Sequence, residues 1–118
     1  MGKLIIAAAS YYNKKFYFND LCKSMPKGVI AELSSVVKLA AESVKGIFSV
    51  GFYENGNIFF IAEGDENDLK YDEKNAKKIT DNVMNENKEL IKSIQIWHAL
   101  YMTEQGKKLK KKLEERLG

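Results

Sequence analysis

The side chains in this sequence that could do chemistry are few and scattered. His98, the single histidine, stands beside Trp97, but a general base needs a partner that orients it and a pocket around it, and neither is visible at its flanks. Cys22, the single cysteine, has no neighbouring histidine and no Cys-x-x-Cys mate, so it reads as a buried or idle thiol. It also excludes an internal disulfide framework and any multi-cysteine zinc site. Glu63, Asp65, Glu66 and Asp68 gather carboxylates but miss the alternate spacing and central glycine of a calcium loop, and read as a solvated loop. The glycines follow neither phosphate-binding spacing. The sequence therefore predicts no catalytic residue, no cofactor and no metal.

Two further features point to binding rather than catalysis. Lys107, Lys108, Lys110, Lys111 and Lys112 offer contact to an anionic partner, nucleic acid or lipid, although a frayed, solvated end is the commoner explanation of such a run. Aromatic residues cluster in two short segments, around Tyr12, Phe16, Tyr17 and Phe18 and around Phe52, Tyr53, Phe59 and Phe60. Sheet-borne aromatics with nearby lysines can stack bases, as RNA-binding modules do, with Tyr12, Tyr17, Tyr53 and Phe60 as the platform and Lys14 and Lys15 on phosphates. The aromatic-glycine motif of those modules is absent. The formal charge is +3. Its distribution is uneven: net +3 over residues 1–62, −4 over 63–89 and +4 over 90–118.

The elements that must position these residues follow from periodicity. Lys3 to Ser10 and Phe16 to Asn19 have strand length and read as a hairpin with Asn13-Lys14 as its loop, which pairs Ala9 with Phe18. Pro26 opens a helix running to Lys45, with Val29, Leu33, Val36, Val37, Ala40 and Val44 as its apolar stripe. Gly46 is expected to be its left-handed cap. Ile47 to Tyr53 and Ile58 to Glu63 flank Asn55-Gly56, the signature of a two-residue type I′ hairpin, which pairs Phe52 with Phe59 and Gly51 with Phe60. Asp72 can cap a helix that starts near Glu73. Its stripe (Ala76, Thr80, Val83, Asn87, Leu90, Ile94, Trp97, Tyr101) alternates steps of four and three, a heptad-like period. Unbroken to Gln105, that helix would be about 50 Å long, against about 26 Å for twice the radius of gyration of a domain this size. Either it breaks around Asn85-Glu86-Asn87, or its second half leaves the domain and packs on a partner. Gly106 is expected to end it, and Leu109, Leu113 and Leu117 form a narrow stripe on a last short helix.

These elements predict an α+β fold of ββαββα order: an antiparallel sheet of two hairpins, one covering helix and a long C-terminal helix. A chain of 118 residues suits one domain, residues 1–105, followed by a basic helical tail, 106–118. No apolar run approaches the roughly 18 residues of a membrane span. Met1-Gly2-Lys3 and the six apolar residues behind it are short for a secretory signal, so the chain reads as cytoplasmic.

Ala7-Ala8-Ala9-Ser10-Tyr11-Tyr12, Lys15-Phe16-Tyr17-Phe18-Asn19, Met25-Pro26 and Val44-Lys45-Gly46-Ile47-Phe48 resemble a family of short bacterial proteins of unknown function, which implies no activity. The element order is also similar to the roadblock and longin group of adaptor domains, which dimerise and scaffold small GTPases. The chain lacks the initial helix of roadblock proteins and has four clear strands where those have five.

With register as expected, one sheet face carries Tyr12, Tyr17, Tyr53, Ile58 and Phe60. That face is too aromatic for ordinary solvent surface. The sequence thus predicts a non-catalytic homodimeric interaction or adaptor module, joined through that face, through the helix residues Leu90, Ile94, Trp97 and Tyr101, or through both. A nucleic-acid-binding protein using the lysine tail and the aromatic face is one alternative; a small enzyme or ligand-binding domain with its site between subunits is another.

Overall fold

The apolar alternation of the two hairpins and the stripe of the first helix fold into two layers, a four-stranded sheet with all its packed helices on one side. The computed structural model describes residues 3–117. Met1, Gly2 and Gly118, with the side chain of Leu117, lie outside the described residues, and so do the expectations about the amino-terminal start and the last leucine of the stripe. In chain order come β1 (Leu4–Ser10), β2 (Phe16–Phe18), a 3-10 turn (Asp20–Cys22), α1 (Lys27–Val44), β3 (Ile47–Phe52), β4 (Ile58–Glu63), α2 (Glu73–Glu86), α3 (Lys88–Tyr101) and α4 (Glu104–Leu117). The fold is α+β, and it ends in three helices, the expected long helix being divided into α2 and α3 ahead of the last short one. The sheet is antiparallel throughout, in the order β2-β1-β3-β4.

Both hairpins close with longer loops than expected. In the first, Ser10 N–H donates to Lys15 O (2.9 Å), so Tyr11 to Lys14 form the loop and Ala9 pairs with Phe16 rather than Phe18. An offset of two leaves the faces unchanged. In the second, Tyr53 N–H donates to Asn57 O and Gly56 N–H to Tyr53 O. The loop has three residues, and only Gly56 takes positive φ (+88°), as in a type I turn closed by a glycine bulge. Asn55 spends its side chain on Asn57 N–H (3.0 Å) and keeps negative φ, where a type I′ turn needs it positive. Phe52 therefore pairs with Ile58, and Val50 with Phe60. This offset of one carries every β4 side chain to the opposite face.

β1 adds a correction of its own. Ile5 pairs with Gly51 and Ala7 with Val50, leaving Ile6 as an unpaired bulge. Ile6 and Ala7 are thus both fully buried, where strict alternation places Ile6 outside. Asn19, the buried polar residue of the fold, holds the bulge: its Nδ2 donates to Ile5 O (2.8 Å) and its Oδ1 accepts from Leu21 N–H (2.9 Å).

The core gathers Ile6, Ala7 and Ala9 from β1, Phe48, Val50 and Phe52 from β3, and Ile58 and Phe60 from β4. Against them pack Leu33, Val37, Ala40 and Ala41 of α1 and Leu90, Ile94 and Trp97 of α3. α1 ends with Lys45 in the left-handed conformation (φ 56°, ψ 48°), so Lys45, not Gly46, is the cap. Gly46 is small for another reason: a Cβ there would run into Glu63 O and the Tyr71 ring. The long helical segment breaks at Asn87 (φ −122°, ψ 35°), whose Nδ2 returns to Val83 O (2.8 Å). The polar seam position thus turns the chain, and α3 folds back onto the sheet instead of leaving it. Trp97 secures the corner, with its indole N–H on Ser24 Oγ (3.1 Å) and its ring between Phe52 (6.3 Å) and Tyr101 (5.5 Å).

α3 stops at Tyr101, earlier than expected, and Gly106 lies in the first turn of α4 rather than at a helix end. Thr103 caps that turn, its Oγ1 accepting Gly106 N–H (3.0 Å). α4 packs chiefly on α3, and the molecule extends over 57 × 26 × 23 Å. Among the described residues no helix is long and apolar enough to cross a membrane.

Candidate interaction surfaces

The helices cover one face of the sheet, and the register decides which side chains the other face presents. Tyr17 of β2, Ile5 of β1, Ile47 and Ser49 of β3, and Phe59 and Ile61 of β4 alternate away from the core. Tyr53 follows at the end of β3. Tyr17 is 51% exposed, Tyr53 43% and Ile5 36%. Gly51 lets the Phe59 ring lie flat across β3, since a Cβ there would sit 2.6 Å from that ring; this shelters Phe59 without joining it to the main core. The Tyr53 ring leans on Phe59 (4.9 Å), and Lys3 Nζ lies 5.6 Å from both centroids.

The expected interface is therefore only partly assembled. Tyr17 and Tyr53 share the open face. Ile58, Phe60, Leu90, Ile94 and Trp97 lie in the core of the single chain, because the three-residue loop turned β4 over and the Asn87 break folded α3 inward. Tyr101 is half-buried on Trp97. Tyr12 is engaged by the acidic loop, its hydroxyl donating to Asp68 Oδ2 (2.8 Å) and accepting Asp65 N–H (2.9 Å). The base-stacking platform comes apart for the same reasons: Phe60 is inside, Tyr12 is held by the loop, and Lys14 pairs with Glu42 (3.0 Å) above the Tyr11 ring.

The lysine run is carried on α4. Lys110 pairs with Glu114 (2.8 Å) and lies over the Tyr101 ring. Lys107, Lys108, Lys111 and Lys112 are exposed, but Glu104 and Glu115 fall on the same helical face at spacings of three and four, so the basic surface is shorter than the run suggests. Leu109 and Leu113 are each about half exposed.

The remaining reactive groups, His98 and Cys22, lie apart from one another. The His98 ring lies 4.5 Å from that of Phe52 and under the Gly56 turn, and burial holds its pKa below the ordinary value. Cys22 is fully buried, and burial pushes its thiol up to about 11. At pH 8 the native protein is expected to resist iodoacetamide, since only the thiolate reacts. The denatured chain should be labelled fully within the same interval; equal labelling in both states would show that the β1–α1 corner opens freely. In the acidic loop Asp65 and Asp68 bond their own backbone, on Asn67 N–H and Lys70 N–H. Among the described residues no group of three or more His, Cys, Asp or Glu is arranged around a metal site.

A groove that the sequence did not signal runs between β4 and α2. It encloses about 660 Å³ and is lined by Phe60, Ala62, Glu63, Gly64 and Tyr71 on one side and by Glu73, Ala76, Lys77, Thr80, Asp81 and Met84 of α2 on the other. α2 starts here because Asp72 Oδ1 accepts Asn75 N–H (3.1 Å), the expected cap. Tyr71 fills the corner left by Gly46 and Gly64, and its hydroxyl is buried without a hydrogen-bond partner. Burial raises its pKa, and Tyr12, Glu73 and Glu63 add to the rise, so the group stays a donor. Lys77, the cation among the described residues that line the groove, is paired with Asp81 (3.1 Å). Alternation in β4 contains the signal for this groove, but the sequence does not say which face α2 covers.

The model of a family described as a family of unknown function (DUF6145) matches residues 3–106. No curated protein and no solved structure matches the chain.

Proposed function

We propose that this chain, which belongs to that family of unknown function, is a non-catalytic interaction module of the cytoplasm that pairs with a second copy of itself. The open face of the sheet carries the reading. A two-layer fold leaves one side of its sheet to solvent, and that side is ordinarily polar along an antiparallel strand. Here the solvent side carries Ile5, Tyr17 and Tyr53 exposed and Ile47 and Ile61 half-buried around the sheltered Phe59 ring, more apolar surface than an open sheet face ordinarily shows. Two such faces can stack with strands nearly aligned, as sheets do in sandwiches, about a two-fold axis that sets each patch on its twin. Tyrosines suit such a surface because they combine a large apolar area with a hydroxyl that tolerates water when the subunits separate. The resemblance to roadblock and longin adaptors points the same way, on topology alone.

The wild-type protein is expected to run at twice its chain mass in multi-angle light scattering at about 100 µM. Tyr17→Asp combined with Tyr53→Asp should weaken association by about tenfold or more, since each places a charge inside the pair. Both positions are exposed, so the thermal midpoint of the separated chain should change little. A wild type that runs at single-chain mass at this concentration would remove the reading.

A further inference from the structure

The pairing just described leaves the outer edge of β4 and its neighbouring groove unused, and their backbone chemistry is incomplete. Tyr53 and Asn57 form a hydrogen-bonded pair across the hairpin. Alternation along an antiparallel ladder then directs the N–H and C=O groups of Ile58, Phe60 and Ala62 away from β3. Among the described residues β4 pairs with no other strand, so this row of donors and acceptors lies on the side of the groove beside α2. The opposite edge of the sheet is blunted: β2 has three residues and follows Lys14 and Lys15. β4 has six residues with no proline, lysine or bulge, so its cover against strand addition is α2, packed beside it.

We propose that an extended basic peptide segment of a partner protein adds as a fifth strand to the free edge of β4, in the groove between β4 and α2. Main-chain bonds to Ile58, Phe60 and Ala62 supply the register, as in other modules that bind by strand addition. Side chains on one face of the peptide meet Phe60, Ala62 and Met84 along the groove. Charge selects the occupant. Glu63 and Glu73 line one end of the groove with no ion pair among the described residues, while Lys77 is already paired with Asp81. A second copy of this chain would bring the same carboxylate-rich rim, whereas lysine or arginine at alternate peptide positions complements it.

The test uses the full-length chain and a fluorescein-labelled heptapeptide of alternating valine and lysine. Fluorescence polarisation is expected to show saturable binding, weakened about tenfold when glutamate replaces lysine, and lost when alternate peptide nitrogens on the bonding edge are methylated. Amide NMR signals of Ile58, Phe60 and Ala62 should shift and gain exchange protection. Glu73→Lys, on the exposed rim of α2, should weaken binding about fivefold with an unchanged thermal midpoint. Ala62→Pro, which removes one outward N–H without touching the β3 ladder, should abolish it. The proposal is overturned if methylation has no effect, if the shifts fall on α4 or the open face instead of β4, or if the edge pairs two copies. The Tyr17→Asp, Tyr53→Asp chain should still bind the peptide, so failure here is distinguishable from failure of the pairing reading.

Discussion

Ile94→Asp is expected to leave the chain unfolded at room temperature. Ile94 is completely buried among side chains of the sheet and α1. Removing its branched side chain costs about 2–5 kcal/mol. A carboxylate placed there has no cation or donor within the cluster, which adds several kcal/mol more or forces the group to stay protonated. A domain of this size has about 5–15 kcal/mol in total. The circular dichroism spectrum should lose its cooperative thermal transition, while Ile94→Val should keep it with a loss of about 1 kcal/mol. If α3 instead projected onto a partner, the aspartate variant would remain a folded single chain. A native midpoint for Ile94→Asp would therefore show that α3 does not rest on the sheet.

Gly106→Val is expected to detach α4 while leaving the rest of the fold standing. Gly106 is buried, and a Cβ there would fall within contact distance of the Ala99 carbonyl and the Leu100 backbone. Backbone cannot swing aside as a long side chain does, so the first turn of α4 must lift away from α3. Thr103 would then lose both its bond from Gly106 N–H and its own bond to Ala99 O. Cleavage between Met102 and Lys108 should accelerate about tenfold or more if the docked helix opens and recloses faster than it is cut. Because α4 packs chiefly on α3 and keeps Leu109 and Leu113 about half exposed, the unfolding midpoint of the remaining domain should hardly move. Unchanged protection against protease would refute the close approach of the two helices.

Much of the architecture is legible along the chain, and the failures are instructive. The stripe of α1 and the Asp72 cap follow from local spacing, and the length a small domain can hold leaves two outcomes for the long helix, of which the structure takes the break at Asn87. The Asn55-Gly56 signal locates the hairpin correctly but does not choose between loops of two and three residues, because either loop places glycine at a positive φ. The choice fell to the Asn55 side chain and to packing, and with it went Ile58 and Phe60. Gly46 and Gly106 show the same limit. Sequence suggests glycine as a helix terminator, whereas here each is needed because another segment passes too close for a Cβ.

Periodicity and capping residues thus settled the α+β class, the two hairpins, the first helix and the Asp72 cap, all of which depend on neighbours within a few positions, whereas the break at Asn87 was one of two outcomes that the chain length allowed. Which sheet face the helices cover, which aromatic residues stay in water, and the open β4 edge beside α2 were settled only in three dimensions. A shift of one residue in a ladder alters no local preference, yet it reverses every side chain of the strand.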